Sequence, residues 1–342
     1  YFDDLLSFNA PDKSIYHIKL LDSWIEHNHY PHSPGWEPYP TSLRVVNIIK
    51  ASLNGLVINN NITNNIAKQL NYLFKNQEKH LLGNHYFSNL KALLFGGLFF
   101  DGEEPNAWLQ KSLIQLEIEI KEQIHLDGAN FELSPMYHAI MLVDMLDIYN
   151  ISITYNEKIP QSFLLLLKKY INLMISFYLS ISHPDNGVAY FNDSVDGISP
   201  SKNTICEYAK NLGFLFNSKK VESPLIDIND HTDSGYFIAH NQDFKFIFDA
   251  GSIGPSYIPG HAHADSLSFE LSIGAERVFV NSGISHYNLG RDRLKQRSTV
   301  SHNTVVVDDK NSSQVWHNFR VGNRAKIKKR IVNSDKNILY IE

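Results

Sequence analysis

One cysteine stands in 342 residues, and Cys206 has no partner in the chain. That excludes an internal disulfide framework and leaves the redox compartment open. Positive charge is not in excess either: 31 Lys and Arg face 36 Asp and Glu, for a formal charge of -5. The chain therefore lacks the basic footprint of a nucleic-acid binder. An acidic polymer stays admissible, because net charge does not report how charge is distributed locally. No uninterrupted apolar run reaches the roughly 20 residues of a membrane-spanning helix. The longest candidate, Phe163 to Leu179, is broken by Lys168, Lys169 and Asn172. A signal-peptide pattern is also lacking. The sequence opens on Tyr1 and closes in a strand-like run, Ile338 to Ile341, so it reads as a piece of a longer protein cut at both ends.

What is present is an ordinary globular composition, 43% apolar and 20% charged, in a chain long enough for two domains. Up to about residue 215 the apolar spacing is helical. Ile66 to Phe74, Tyr86 to Phe100, Trp108 to Ile124, Pro135 to Tyr149 and Gln161 to Leu179 repeat at three and four residues. Turn residues such as Asp101-Gly102, Asp127-Gly128 and Pro184-Asp185-Asn186-Gly187 separate them. So many successive helices suggest an α-solenoid or a closed ring of helical hairpins. No sequence repeat chooses between the two. After about Asn217 the segments become short and rich in β-branched and aromatic residues. Gly235 to Ala239, Phe244 to Phe248, Ser266 to Leu271 and Arg277 to Val280 read as strands of an antiparallel sandwich. Helices followed by strands imply two domains with a ligand cleft.

Three clusters carry candidate chemistry. Gly260-His261-Ala262-His263-Ala264-Asp265 runs into a strand-like segment, where alternation would point His261 and His263 to one side. His302 opens another strand-like run, Thr304 to Val307. Grouped imidazoles suit proton transfer, metal ligation or both. In the helical half, Gly83-Asn84-His85-Tyr86 with Asn89, and Asp127 to His138, place polar residues at helix starts. Such starts favour an anionic ligand. The plainer reading is capping by Asn84 and Ser134. His27, His29 and His32 sit in a proline-rich loop with Trp36 and read as surface or packing residues.

Taken in order, these pieces resemble the heparinase II/III-like polysaccharide lyases. The matching residues begin with Trp36-Glu37-Pro38-Tyr39-Pro40, Ser42 and Arg44, then Asn84-His85 and Asn89-Leu90-Lys91-Ala92. They continue through Phe131 to His138, Phe191-Asn192-Asp193 and His261 to Asp265. Tyr287, Arg297-Ser298-Thr299, His302-Asn303-Thr304, Trp316 and Phe319-Arg320 complete the set. The resemblance implies an α/α toroid over residues 1–217 and the start of a β-sandwich over 218–342. It also implies cleavage of a uronic-acid-containing glycan by β-elimination.

That reaction needs the uronate carboxylate neutralised, a base for the C5 proton and an acid for the departing O4. By resemblance Asn84 and His85 neutralise the carboxylate. Tyr137 is the acid, or both acid and base, and His261 is a base or a second neutraliser. Trp36, Tyr39, Arg44, Asn89, Glu132, His138, Tyr287 and Arg297 are the implied substrate-binding residues. A glycosidase would instead need two carboxylates across the scissile bond, and only Glu132 and Asp193 keep that option. The family's structural metal, usually zinc, is held by two histidines and an aspartate. His263 and His302 match the histidines, while Asn281 stands at the aspartate position and Asp265 is a substitute donor. A neutral amide is a poorer zinc ligand than a carboxylate. Without metal, His263 and His302 become hydrogen-bonded core histidines.

The implied partner is an acidic polysaccharide or oligosaccharide; no nucleic acid is expected. The resemblance favours a periplasmic or secreted bacterial protein and leaves the cytoplasm open. The rival readings are a non-catalytic glycan-binding or polysaccharide-assembly protein, which the drift at Asn281 favours, and a hydrolase on the same toroid.

Overall fold

The structure is a computed structural model that describes residues 1–31, 34–216, 224–335 and 338–341. His32 and the boundary expected between residues 217 and 218 lie outside the described residues. Helices come first and antiparallel strands follow. The chain divides into two compact units, Tyr1–Lys121 with Asp147–Leu167, and Glu122–Leu146 with Lys168–Glu342.

The first unit is built from α1 (Ser14–His27), α2 (Pro38–Leu53), α3 (Asn60–Lys75), α4 (Gly83–Phe99) and α5 (Glu103–Gln123). In α3, Asn59 caps the first turn by accepting the Ile62 N–H, and Ile62, Ile66, Leu70 and Leu73 form one buried stripe. Helix α4 is different, buried at every position from Tyr86 to Leu98, as a central helix must be. Its Gly96-Gly97 pair allows close approach. A Cβ on Gly96 would lie 2.4 Å from Leu70 Cδ1, and one on Gly97 2.7 Å from Leu109 Cβ. Burying Lys91 in this helix requires a counter-charge. Asp147 supplies it, accepting from Lys91 Nζ at 2.6 Å and from Lys50 Nζ at 2.9 Å.

Helix α6 (Pro135–Thr154) follows, then α7 (Gln161–Ile181) and α8 (Lys202–Asn211). By length and composition alone α7 is long and apolar enough to cross a membrane. Its Leu167, Ile171, Met174, Phe177 and Ile181 are buried at helical spacing, the pattern of a core helix. In the second unit β1 (Asp227–Asp230), β2 (Tyr236–His240), β3 (Phe244–Asp249), β4 (Phe269–Ile273) and β5 (Glu276–Phe279) pair in that order, all antiparallel. Ile238 lies opposite Ile247, and Ile247 opposite Glu270. The inward face buries Ile238 and Ile247 with Ala129, Leu133, Phe177, Ile181, Ala189 and Phe191. The other face carries a ladder of rings, Phe246 with Phe248 and Phe269, and Phe269 with Phe279, at 5.5 to 6.1 Å. Such an apolar face is the one a second sheet packs against in a sandwich.

Beyond the sheet come α9 (Arg291–Gln296) and the short pairs β6 (Val315–Trp316) with β7 (Arg320–Val321) and β8 (Val332–Asp335) with β9 (Ile338–Ile341). Two expectations are corrected. Residues 261 to 268 form a loop, and the strand begins only at Phe269. Thr304 to Val307 forms no strand, and Val305 and Val307 stand exposed. β-Branched residues hold a strand only where a neighbour completes the ladder.

Candidate active site

The geometry of the second unit centres on one carboxylate. Asp193 is fully buried, and His261 Nδ1 meets its Oδ2 at 2.9 Å while His263 Nε2 meets its Oδ1 at 2.7 Å. Arg293, also fully buried, grips both oxygens through its two terminal nitrogens. Bidentate pairing of this kind combines charge with fixed geometry. Burial opposes the charged carboxylate, but the hydrogen bonds from His261, His263 and Arg293 outweigh it and hold Asp193 well below the usual range. The two histidines of the His-Ala-His stretch thus converge because the loop folds around Asp193. Strand alternation plays no part.

His261 leads from this hub to the half-buried aromatic groups. Its ring stacks on Tyr137 with centroids 3.9 Å apart, and its Nε2 lies 3.7 Å from Glu132 Oε2. Burial disfavours the imidazolium, yet Glu132 and Asp193 outweigh burial and raise the His261 pKa. Tyr137 shares a 3.0 Å hydroxyl hydrogen bond with Tyr287. Burial first, then Tyr287 and the charges of Asp193 and Glu132, push the Tyr137 phenol far up, so it stays protonated. Ser134 positions this tyrosine: placed just before α6, it accepts the Tyr137 N–H and donates to the Asp193 carbonyl at 2.7 Å. Tyr137, His261 and Tyr287 are partly exposed, so a ligand can reach them.

On the far side of Asp193 lies a histidine pair. His263 Nδ1 faces His302 Nε2 at 3.1 Å, and His302 Nδ1 donates to the Ser298 carbonyl. Burial lowers His263 and brings His302 to about 4, so both rings are neutral at ordinary pH. With the outer nitrogens committed as donors, both facing nitrogens carry lone pairs. That arrangement fits two positions of a divalent cation. Asn281 does not complete it, because its Oδ1 accepts the Asn303 N–H at 2.9 Å. Among the described residues no group of three or more His, Cys, Asp or Glu side chains is placed to hold a metal.

The first unit holds its own polar cluster. The Tyr39 ring stacks on His85 at 4.4 Å, and His85 Nδ1 lies 3.3 Å from Glu78 Oε1. Asn89 accepts the Glu78 N–H at 2.8 Å and donates to Glu78 Oε2 and Ser42 Oγ. Asn84 lies in the first turn of α4, after the Leu82 cap position, so it is not the N-cap. Its half-buried amide makes no hydrogen bond among the described residues.

Five of the expected substrate contacts have side chains turned into the protein interior. Trp36 is 1% exposed and donates to the Asn28 carbonyl. Arg44 lies over Trp24 and donates to Gln69 and Gly35; burial alone lowers it to about 9. Asn89 is fully buried as described. His138 accepts the Asn130 N–H and pairs with the Met174 carbonyl. Arg297 caps the carbonyls of Ala262, His317 and Arg320. Tyr39, Glu132 and Tyr287 remain beside the reactive groups of their own units. Arg293 and Glu78 carry no motif that marks them in the sequence. The only signal for Arg293 was its place in the basic stretch Arg291 to Arg297.

Comparison with known proteins places the chain in a class. The heparinase II/III N-terminus model matches residues 18–221, and the heparinase II/III-like, C-terminal model matches residues 224–341. The chain belongs to the heparinase II/III-like family. It is 27% identical over 251 residues to a heparin-sulfate lyase of Bacteroides stercoris, covering 68% of this chain and 36% of that protein. To the heparin-sulfate lyase of Pedobacter heparinus it is 26% identical over 270 residues, 72% of this chain and 39% of the relative. The chain therefore spans well under half the length of these relatives. Among solved structures, heparinase III superimposes with a TM-score of 0.74 at 19% identity, covering 95% of this chain and 54% of that one. The heparan sulfate lyase HepC from Pedobacter heparinus gives 0.59 at 21% identity, over 94% and 52%. These likenesses show the fold, helical toroid and then β-sandwich.

Proposed function

We propose that this chain carries catalytic groups of a polysaccharide lyase that cleaves a uronic-acid-containing glycan by β-elimination. The observation that carries this reading is the Tyr137–His261 stack, backed by Asp193 and joined to Tyr287. A protonated phenol is suited to donate its proton to the departing O4. For the same group to serve as base its own proton must first leave; the phenolate, hydrogen-bonded by Tyr287, would then take the C5 proton and return it to the departing O4 of the same linkage. His261, flanked by two carboxylates, favours its charged form and so suits neutralising the uronate carboxylate better than acting as a resting base. Asn84 and His85 are assigned to carboxylate neutralisation by family likeness, and the unpaired amide of Asn84 is compatible with that task.

A hydrolytic reading is less well supported. Asp193 is enclosed by two imidazoles and a guanidinium, so it is not a free nucleophile or base. A divalent cation at His263 and His302 would be structural, tying two loops together; no step of the reaction is routed through it. The test is incubation of the protein with a panel of uronate polymers, following the ultraviolet absorbance of the unsaturated product. Absence of product on every polymer, with folding verified, would reject the reading.

A further inference from the structure

A cavity of about 650 Å³ opens in the second unit, and no residue of the candidate active site lines it. Its walls come from the C-terminal end of α7, the first turn of α8 and the ends of β1, β2 and β3. The volume falls in the range of small-molecule sites.

Two ammonium groups line it with no carboxylate at ion-pair distance among the described residues. Lys245 Nζ donates to the Ser182 carbonyl at 2.6 Å and to the Leu179 carbonyl at 3.4 Å, which leaves one N–H without an acceptor there. Lys202 has no hydrogen bond or ion pair among the described residues. Burial, and then the charge of Lys202, lower Lys245 to about 7; burial also lowers Lys202, against the smaller opposing pull of Cys206 and Asp185. The one carboxylate on the wall, Asp227, sits nearest His240, at 3.7 Å. Capping of the last α7 carbonyls accounts for Lys245 but gives Lys202 no role. The remaining polar lining includes the amides of Asn186 and Gln242 and the hydroxyl of Ser176 beside the rings of Phe216 and Phe244. Amides and hydroxyls pair with sugar hydroxyls, and aromatic rings cover the apolar face of a pyranose.

We propose that this cavity is a second binding site for an acidic sugar unit, with Lys202 and Lys245 taking its carboxylate or sulfate. The site needs no turnover, so it stands apart from the lyase reading.

The experiment uses the full chain carrying Tyr137→Phe, titrated calorimetrically with glucuronic acid, a sulfated glucosamine, uncharged glucose and inorganic sulfate. An acidic sugar binds saturably, and Lys202→Gln weakens it about tenfold, the loss expected for one charged contact. Whichever of the two acidic sugars binds tighter names the anion. In the chain with Tyr137 intact, Lys202→Gln leaves the thermal midpoint and any polymer cleavage unchanged. Lys245→Met is the second variant, although it also removes an α7 cap. Unaltered affinity in Lys202→Gln, equal binding of glucose, or equal binding of inorganic sulfate would overturn the proposal. Failure of the lyase assay would leave the titration result standing.

Discussion

His263 Nδ1 and His302 Nε2 face each other across 3.1 Å, and the other nitrogen of each ring is already committed as a donor. Two neutral imidazoles cannot hold that contact without a proton or a cation between them. Zinc is therefore expected to raise the thermal midpoint of the chain, and His302→Ala to remove the effect. Because Asn281 supplies only an amide, Asn281→Asp should tighten zinc binding by at least about tenfold. Competition against a chromophoric chelator measures this. Equal affinities in the parent and Asn281→Asp would show that residue 281 is not a ligand.

Tyr137→Phe keeps the ring stacked on His261 and deletes only the hydroxyl. If the phenol transfers the proton, kcat falls roughly 10²- to 10⁴-fold while KM changes little. Tyr287→Phe removes one hydrogen bond to that hydroxyl and should cost about tenfold. Initial rates of unsaturated-product formation, with circular dichroism as a control on folding, decide the matter. Survival of most activity in Tyr137→Phe would refute the assignment.

Arg293 and Asp193 form a buried ion pair whose halves are unequal to lose. Asp193→Asn leaves the guanidinium without its counter-charge and should cost about 3–5 kcal/mol in urea unfolding. Arg293→Met combined with Asp193→Asn should recover part of that loss, since no uncompensated charge remains. Additive losses in the double variant would mean that the pair is not coupled.

Asp147 makes the first unit sensitive to acid. Burial raises its pKa, but Lys91 and Lys50 outweigh burial and bring it from 3.8 to about 2. Its folded pKa is depressed, so its contribution is complete above the unfolded value and is lost as pH falls from about 4 through 2. The shift corresponds to on the order of 2 kcal/mol. Urea midpoints measured from pH 6 downwards should show this loss, and Asp147→Asn should flatten it. An identical acid profile in the variant would assign the loss to other carboxylates.

Much of this architecture was legible without coordinates, and the failures are informative. Helix α3 was readable because Ile66, Leu70 and Leu73 form a stripe whose spacing survives any packing detail. Thr304 to Val307 has the composition of a strand, but among the described residues it makes only an isolated bridge, from Val307 to Lys310. Trp36, Arg44 and Arg297 are buried, and nothing in a residue's type says whether a core will enclose it. Arg293 went unnoticed for the converse reason: its partner Asp193 is 100 residues away in the chain.

The sequence alone determined the order of helices and strands, the lack of disulfides and the residue types that mark the family. Those properties are local or compositional, and spacing along the chain is enough to express them. The resemblance already put His261 with the catalytic residues and His263 with His302, but the physical reason these neighbouring histidines part is visible only in three dimensions. Asp193 has two oxygens and four donors, and its burial leaves no water to substitute for any of them. That single constraint turns His261 toward Tyr137 and His263 toward His302.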